Sequence, residues 1–125
     1  MAKRIAIVND EQDFVDMVTL LLEEEGYELR SCDDGRAALP LIKEWRPHLV
    51  LLDIRMKGLS GWDILALVQA DPSIAGTRVL VTSGAVEEVG AAGAQLQQQG
   101  HDYITLPFDL EEFVRKVKKM IGDPL

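Results

Sequence analysis

The sequence predicts an α/β protein built on one parallel β-sheet with helices on both faces. Three observations predict it. Five short apolar, β-branched runs recur along the chain, at 4–8, 28–32, 48–52, 78–81 and 103–105. Amphipathic or helix-compatible segments lie between them, and strand–helix alternation marks a parallel sheet with crossover helices. The third run, Leu49-Val50-Leu51-Leu52, is apolar on both of its faces, as a central strand of such a sheet must be.

The elements follow in order. The first strand comes directly after Met1-Ala2-Lys3, with no secretory pattern ahead of it. The first helix is expected over about 11–25, where Phe14, Val18, Leu21 and Leu22 recur at helical spacing and Gly26 supplies the stop. The second, 35–45, contains Pro40, which lacks an N–H and clashes with the preceding turn, so a late start or a kink is expected. A short helix over 62–70 is closed by Asp71-Pro72. The fourth, 85–99, carries Gly90 and Gly93, each costing about 1 kcal/mol relative to Ala in a helix interior. Having few large apolar residues as well, it is expected to be loosely held. The last helix is the clearest. Leu110, Phe113, Val114, Val117, Met120 and Ile121 form one stripe, and Asp109 is placed to be its N-cap. Lys116, Lys118 and Lys119 suit the negative pole at its C-terminal half.

Composition limits the function. The 125 residues, 47% hydrophobic and 27% charged, suit one compact soluble domain spanning 1–125. No apolar run approaches the roughly 18 residues that would cross a bilayer. Cys32 is the only cysteine, which excludes an internal disulfide and points to the cytoplasm. A net charge of −8 argues against direct nucleic-acid binding, which needs a positive surface. The excess of acid is either a solvated surface or a cluster that gathers a cation or a basic partner. His48 and His101 flank strands and read as structural.

In an open parallel sheet, ligands bind beyond the carboxyl ends of the strands. Those ends are Asn9-Asp10-Glu11, Asp53, Thr82-Ser83-Gly84 and Thr105-Leu106-Pro107-Phe108. Asp10 and Asp53 at adjacent strand ends would repel by about 4 kcal/mol at 4 Å and an effective dielectric of 20. A divalent cation, a proton or a basic side chain must offset that, and hard oxygen donors suit Mg²⁺. The alternative is that one Asp caps a helix and the other is a solvated loop residue.

Four motifs carry a resemblance. Ile7-Val8-Asn9-Asp10-Glu11 resembles the Val-Asp-Asp-Glu of response-regulator receiver domains. Leu51-Leu52-Asp53-Ile54-Arg55-Met56, followed by Gly58 and Gly61, resembles their phosphorylation loop. Val81-Thr82-Ser83-Gly84 is similar to the fourth-strand end, and Tyr103-Ile104-Thr105-Leu106-Pro107-Phe108 to the fifth-strand Tyr-x-x-Lys-Pro-Phe with its cis peptide. The four occur in register over essentially the whole chain. The resemblance implies a doubly wound (βα)₅, flavodoxin-like receiver fold with strand order 2-1-3-4-5. It implies that Asp53 accepts a phosphoryl group from a sensor histidine kinase or phosphotransfer protein. It further implies Mg²⁺ (or another divalent cation) on Asp10, Asp53 and the Arg55 backbone carbonyl, with Asn9 acting through water and Glu11 as a further donor. Ser83, with Thr82 as the alternative, is the switch hydroxyl. Tyr103 is the aromatic switch whose repacking alters the face made by the fourth helix, fifth strand and fifth helix for a downstream protein partner or a second copy. Such a chain is a signalling module, not an enzyme, and meets neither nucleic acid nor membrane.

The pattern breaks at Leu106, where the family has a lysine that pairs with the acceptor Asp and then with the phosphoryl group. Leucine supplies no charge, so phosphorylation is expected to weaken while the site holds a divalent cation at least as well. Asn9 replaces an acidic residue, Lys57 the loop proline, and Ser60 a common Asp. Arg55 or Lys57 could reach back as a substitute cation, although long basic side chains usually point to water. Three functions compete: a phosphorylation-dependent switch, a degenerate receiver that binds protein without phosphate, and a phosphohydrolase with an Asp nucleophile. The third expects a second Asp where Arg55 stands, and the Gly-rich turn of a dinucleotide-binding domain is absent after the first strand. The switch is favoured because Asp10, Asp53 and Ser83 are all present.

Overall fold

The computed structural model describes residues 2–56, 58–84 and 86–125. Five strands and five helices alternate: β1 (Arg4–Val8), α1 (Gln12–Glu25), β2 (Glu28–Cys32), α2 (Gly35–Trp45), β3 (Leu49–Asp53), α3 (Gly61–Ala70), β4 (Arg78–Ser83), α4 (Val86–Gln98), β5 (Asp102–Thr105) and α5 (Leu110–Ile121). All strand pairs are parallel and the sheet order is β2-β1-β3-β4-β5, as expected for a doubly wound domain. No helix among the described residues is long and apolar enough to cross a membrane.

Side-chain alternation along the strands divides the core into two layers. Ala6, Val8, Val50, Leu52, Val79 and Val81 pack against α2, α3 and α4. Ile5, Ile7, Leu49, Leu51, Leu80 and Ile104 pack against α1 and α5. Leu49 to Leu52 are all buried, which explains the unbroken apolar run of the central strand. Each such side chain contributes about 1.5–3 kcal/mol of burial free energy.

The helix ends have local causes. Gly26 closes α1 in the left-handed conformation, φ 108°. Asp109 caps α5, accepting from the N–H groups of Glu111 and Glu112. Helix α2 corrects one expectation: it starts at Gly35 despite Pro40, not late. Asp34 caps it through the Arg36 N–H and also binds the Arg36 guanidinium at 3.0 Å, which fixes the first turn. Pro40 and Arg36 are both exposed, so the carbonyl that loses its helical donor meets water. In α4, Val89, Gly93 and Leu96 are buried along one face, and Gly93 receives the ring of Tyr103. Ala85, the expected start of this helix, lies outside the described residues.

Both histidines serve the backbone. His48 Nδ1 accepts the Arg4 N–H at 3.0 Å, and His101 Nδ1 accepts the Val79 N–H at 3.0 Å. Burial, and then the charge of Arg78, hold the His101 imidazole below its ordinary value, so it stays neutral as an acceptor.

Candidate functional site

Parallel pairing gathers the polar strand ends at one edge of the sheet. Val8 stands opposite Leu52, which brings Asn9 and Asp10 beside Asp53. Asp53 is half-buried at the last position of β3, and Asp10 is exposed. Burial raises the Asp53 carboxyl above its ordinary value. The N–H groups of Arg55 and Ile54 donate to it and pull it down, and the charges of Asp10 and Glu11 push it up again. The net effect is upward, burial being its largest cause and the charges of Asp10 and Glu11 adding to it.

No cation among the described residues is a cause of that balance. Leu106 occupies the lysine position, half-buried, and its N–H donates to the Ser83 carbonyl at 2.9 Å across the tips of β4 and β5. Arg55 does not reach back to Asp53: its guanidinium pairs with Glu88 at 3.4 Å and is exposed. Lys57 lies outside the described residues. Lys116 is not simply a helix-pole charge, because its Nζ donates to the Tyr103 carbonyl at 2.9 Å and lies 3.5 Å from Asp102.

A cleft of about 660 Å³ opens at this edge, lined by Asp10, Ile54, Arg55, Met56, Ser60, Trp62 and Glu88. Ser60 and Asp63 form a capping box that fixes the start of α3 on its far side. Gly61 admits the close approach of the loop between β3 and α3, since a Cβ there would lie 2.4 Å from the Asp53 carbonyl oxygen. Glu88, from the first turn of α4, accepts a hydrogen bond from the Trp62 indole and also meets Arg55. Glu88 and Trp62 were not singled out by the sequence. They stand 26 residues apart, and neither belongs to a motif.

Asn9 is buried, and its side-chain oxygen accepts the Glu11 N–H at 2.8 Å, setting the turn into α1. The Oδ1 atom keeps a second lone pair and the amide nitrogen its donors for a bound water. Strand alternation separates the two candidate hydroxyls. Thr82 is the ladder partner of Asp53 and shares its parity, whereas Ser83 shares that of Val81 and Tyr103, the α4 side. Tyr103 is not in the cleft. It lines a groove with Thr105, Pro107, Phe108 and Lys116, and Phe108 stacks on Phe113 at 4.7 Å. The Leu106–Pro107 peptide is cis, as the motif implies.

Among the described residues no group of three or more His, Cys, Asp or Glu could form an all-protein metal cage. Two mutually repelling carboxylates beside an open cleft fit a hard cation that keeps several of its waters. That is the coordination habit of Mg²⁺ more than of Zn²⁺, which takes nitrogen and sulfur donors.

Comparison with known proteins agrees with this geometry. The model of the response regulator receiver domain matches residues 5–118. The DNA-binding response regulator MtrA of Mycobacterium tuberculosis (strain ATCC 25618 / H37Rv) is 32% identical over 118 residues, covering 94% of this chain and 50% of that protein. The chain thus spans about half the length of the curated relatives it matches. A CheY-like response regulator receiver domain protein from Methanospirillum hungatei JF-1 superposes with a TM-score of 0.82 at 25% identity, over 97% of this chain and 94% of that one. The receiver domain of sensor histidine kinase PA1611 from Pseudomonas aeruginosa PAO1 superposes with a TM-score of 0.84 over 98% of this chain and all (100%) of that one. At 21% identity that likeness speaks for the fold alone, and that structure holds a magnesium ion coordinated in its active site cleft.

Proposed function

Because this chain belongs to the response regulator receiver domain family of two-component signalling, we propose that it is a phosphorylation-dependent switch whose acceptor is Asp53. One observation carries the reading: a half-buried carboxylate at the tip of the central strand, raised by burial and by two acidic neighbours, beside an open cleft. Asp53 attacks the phosphorus of a phosphohistidine on a sensor kinase or phosphotransfer protein. The P–N bond breaks, its electron pair leaves with the imidazole, and an aspartyl phosphate forms.

Asp10, Asp53 and the Arg55 backbone carbonyl would hold Mg²⁺, with Asn9 accepting from a metal-bound water through its amide oxygen, and with Glu11 adding negative charge. When bound, the cation neutralises charge on the transferring phosphoryl oxygens. Ser83, at the tip of β4 and sharing the parity of Tyr103, is the hydroxyl that would link the acyl phosphate to that ring, and Thr82, the ladder partner of Asp53, is the alternative. Tyr103, seated against Gly93, then repacks and changes the α4–β5–α5 face that a downstream protein reads. The net charge of −8 supports output through protein contact, not through nucleic acid touched by this domain itself. A cytoplasmic location follows from that partnership.

Incubation with acetyl phosphate and Mg²⁺ tests the reading. The wild type is expected to take up acid-stable, base-labile phosphate and Asp53→Asn none. A wild type that stays unlabelled while Leu106→Lys is labelled would point to a binding module that works without phosphate.

A further inference from the structure

The acceptor site lacks its lysine, yet a cation stands at the mouth of its cleft. We infer that Arg55 is the group that meets the phosphoryl oxygens at Asp53, and that Glu88 is the carboxylate it leaves in order to do so. The inference rests on the phosphoacceptor reading above and adds the residue that replaces the missing ammonium.

Arg55 lies two residues beyond Asp53, and its own N–H already donates to the Asp53 carboxylate, which fixes the loop beneath it. Arg55 lines the same cleft as Asp10 and Glu88. The partner that holds it is weak: one contact of 3.4 Å to Glu88, with the Arg55 side chain 76% exposed. Solvated single-contact pairs of this kind contribute little. Glu88 has a second partner in the Trp62 indole, so it is not stranded when the guanidinium departs. A phosphoryl group adds roughly −1.5 to −2 charges and three acceptor oxygens. Guanidinium binds such an oxyanion in a bidentate fork, a stronger contact than the one it gives up. The exchange also releases the first turn of α4 from the β3–α3 loop, so the cation that stabilises the phosphoryl group reports its arrival to the helix beside Tyr103.

The covalent step balances with acetyl phosphate as donor. An Asp53 oxygen forms the new P–O bond, the P–O bond to the acetyl oxygen breaks, and acetate leaves with the electron pair. Arg55 donates hydrogen bonds throughout and transfers no proton.

A mutant cycle on the full chain tests this, with the initial rate of labelling by acetyl phosphate at fixed Mg²⁺. Arg55→Ala is expected to be about tenfold slower than wild type, with much of the rate recovered in Arg55→Lys. In the Leu106→Lys background, where an ammonium is restored, Arg55→Ala is expected to cost less than about twofold. Glu88→Gln should not slow labelling. A loss in Glu88→Gln equal to that of Arg55→Ala would mean that the ion pair is structural, and would overturn the inference. So would an equal loss from Arg55→Ala in both backgrounds. A second readout is independent of turnover: the Arg55 Nε–H resonance should shift when beryllofluoride and Mg²⁺ are added, and an unmoved resonance would contradict the exchange. Wild type labelled as fast as Arg55→Ala sinks this inference alone. Wild type that is never labelled sinks the acceptor reading and the inference with it.

Discussion

Substituting the two glycines of α4 one at a time separates a slot from a weakness. Gly90 is exposed, and a Cβ there meets nothing within 4 Å. Gly90→Ala should therefore gain helix propensity alone, about 1 kcal/mol. Gly93 lies one turn on, and a Cβ there would sit 2.4 Å from Tyr103 Cε1, where ordinary contact begins near 3.4 Å. The ring or the helix must move by about an ångström, and overpacking of that kind costs about 1–3 kcal/mol. Set against the same propensity gain, Gly93→Ala should be destabilised by about 0–2 kcal/mol. Urea denaturation of both variants measures the difference, and in a domain of this size 1 kcal/mol corresponds to roughly 3–5 °C in Tm. Gly90→Ala should melt above wild type, and Gly93→Ala at or below it, with the Tyr103 ring resonances displaced. A Gly93→Ala variant as stabilised as Gly90→Ala, with unmoved Tyr103 resonances, would refute the slot.

Other substitutions probe the site and its supports. Burial, then Asp10 and Glu11, raise the folded Asp53 carboxyl above its unfolded value, so the native state binds more protons across that interval and stability falls as pH rises through it. Asp53→Asn, melted in chelator, should therefore be more stable than wild type at pH 7, and the advantage should vanish on acidification below the ordinary aspartate range. A less stable Asn variant at neutral pH would contradict the assignment. Leu106→Lys returns an ammonium to the tip of β5 and should weaken Mg²⁺ affinity by about tenfold while speeding labelling by acetyl phosphate; equal affinity by calorimetry would count against a cation-free pocket. His101→Ala leaves the buried Val79 N–H without its acceptor and should cost about 1–3 kcal/mol in urea.

The sheet and its edge were readable because their signals are local. The apolar run 49–52 read as a central strand, and the alternation of strands with helices then carried Asp10, Asp53 and Ser83 to one edge. One reading failed where a local rule met a capping effect. Pro40 suggested a late start or a kink in α2, and the late start is overturned because the Asp34 cap begins the helix at Gly35. Gly93 looked like a flaw in α4, and its use appears only when Tyr103 of β5 is laid against it. The Glu88 bridge to Trp62 and Arg55 was invisible for the same reason, since it joins three elements through side chains with no motif between them.

Titration of the chain with Mg²⁺, followed by the fluorescence of Trp62 at the cleft, puts the shared cation site to its most direct trial. The account predicts a saturable change in wild type that is lost in both Asp10→Asn and Asp53→Asn. Undiminished binding in either variant would mean that the two carboxylates do not serve one ion.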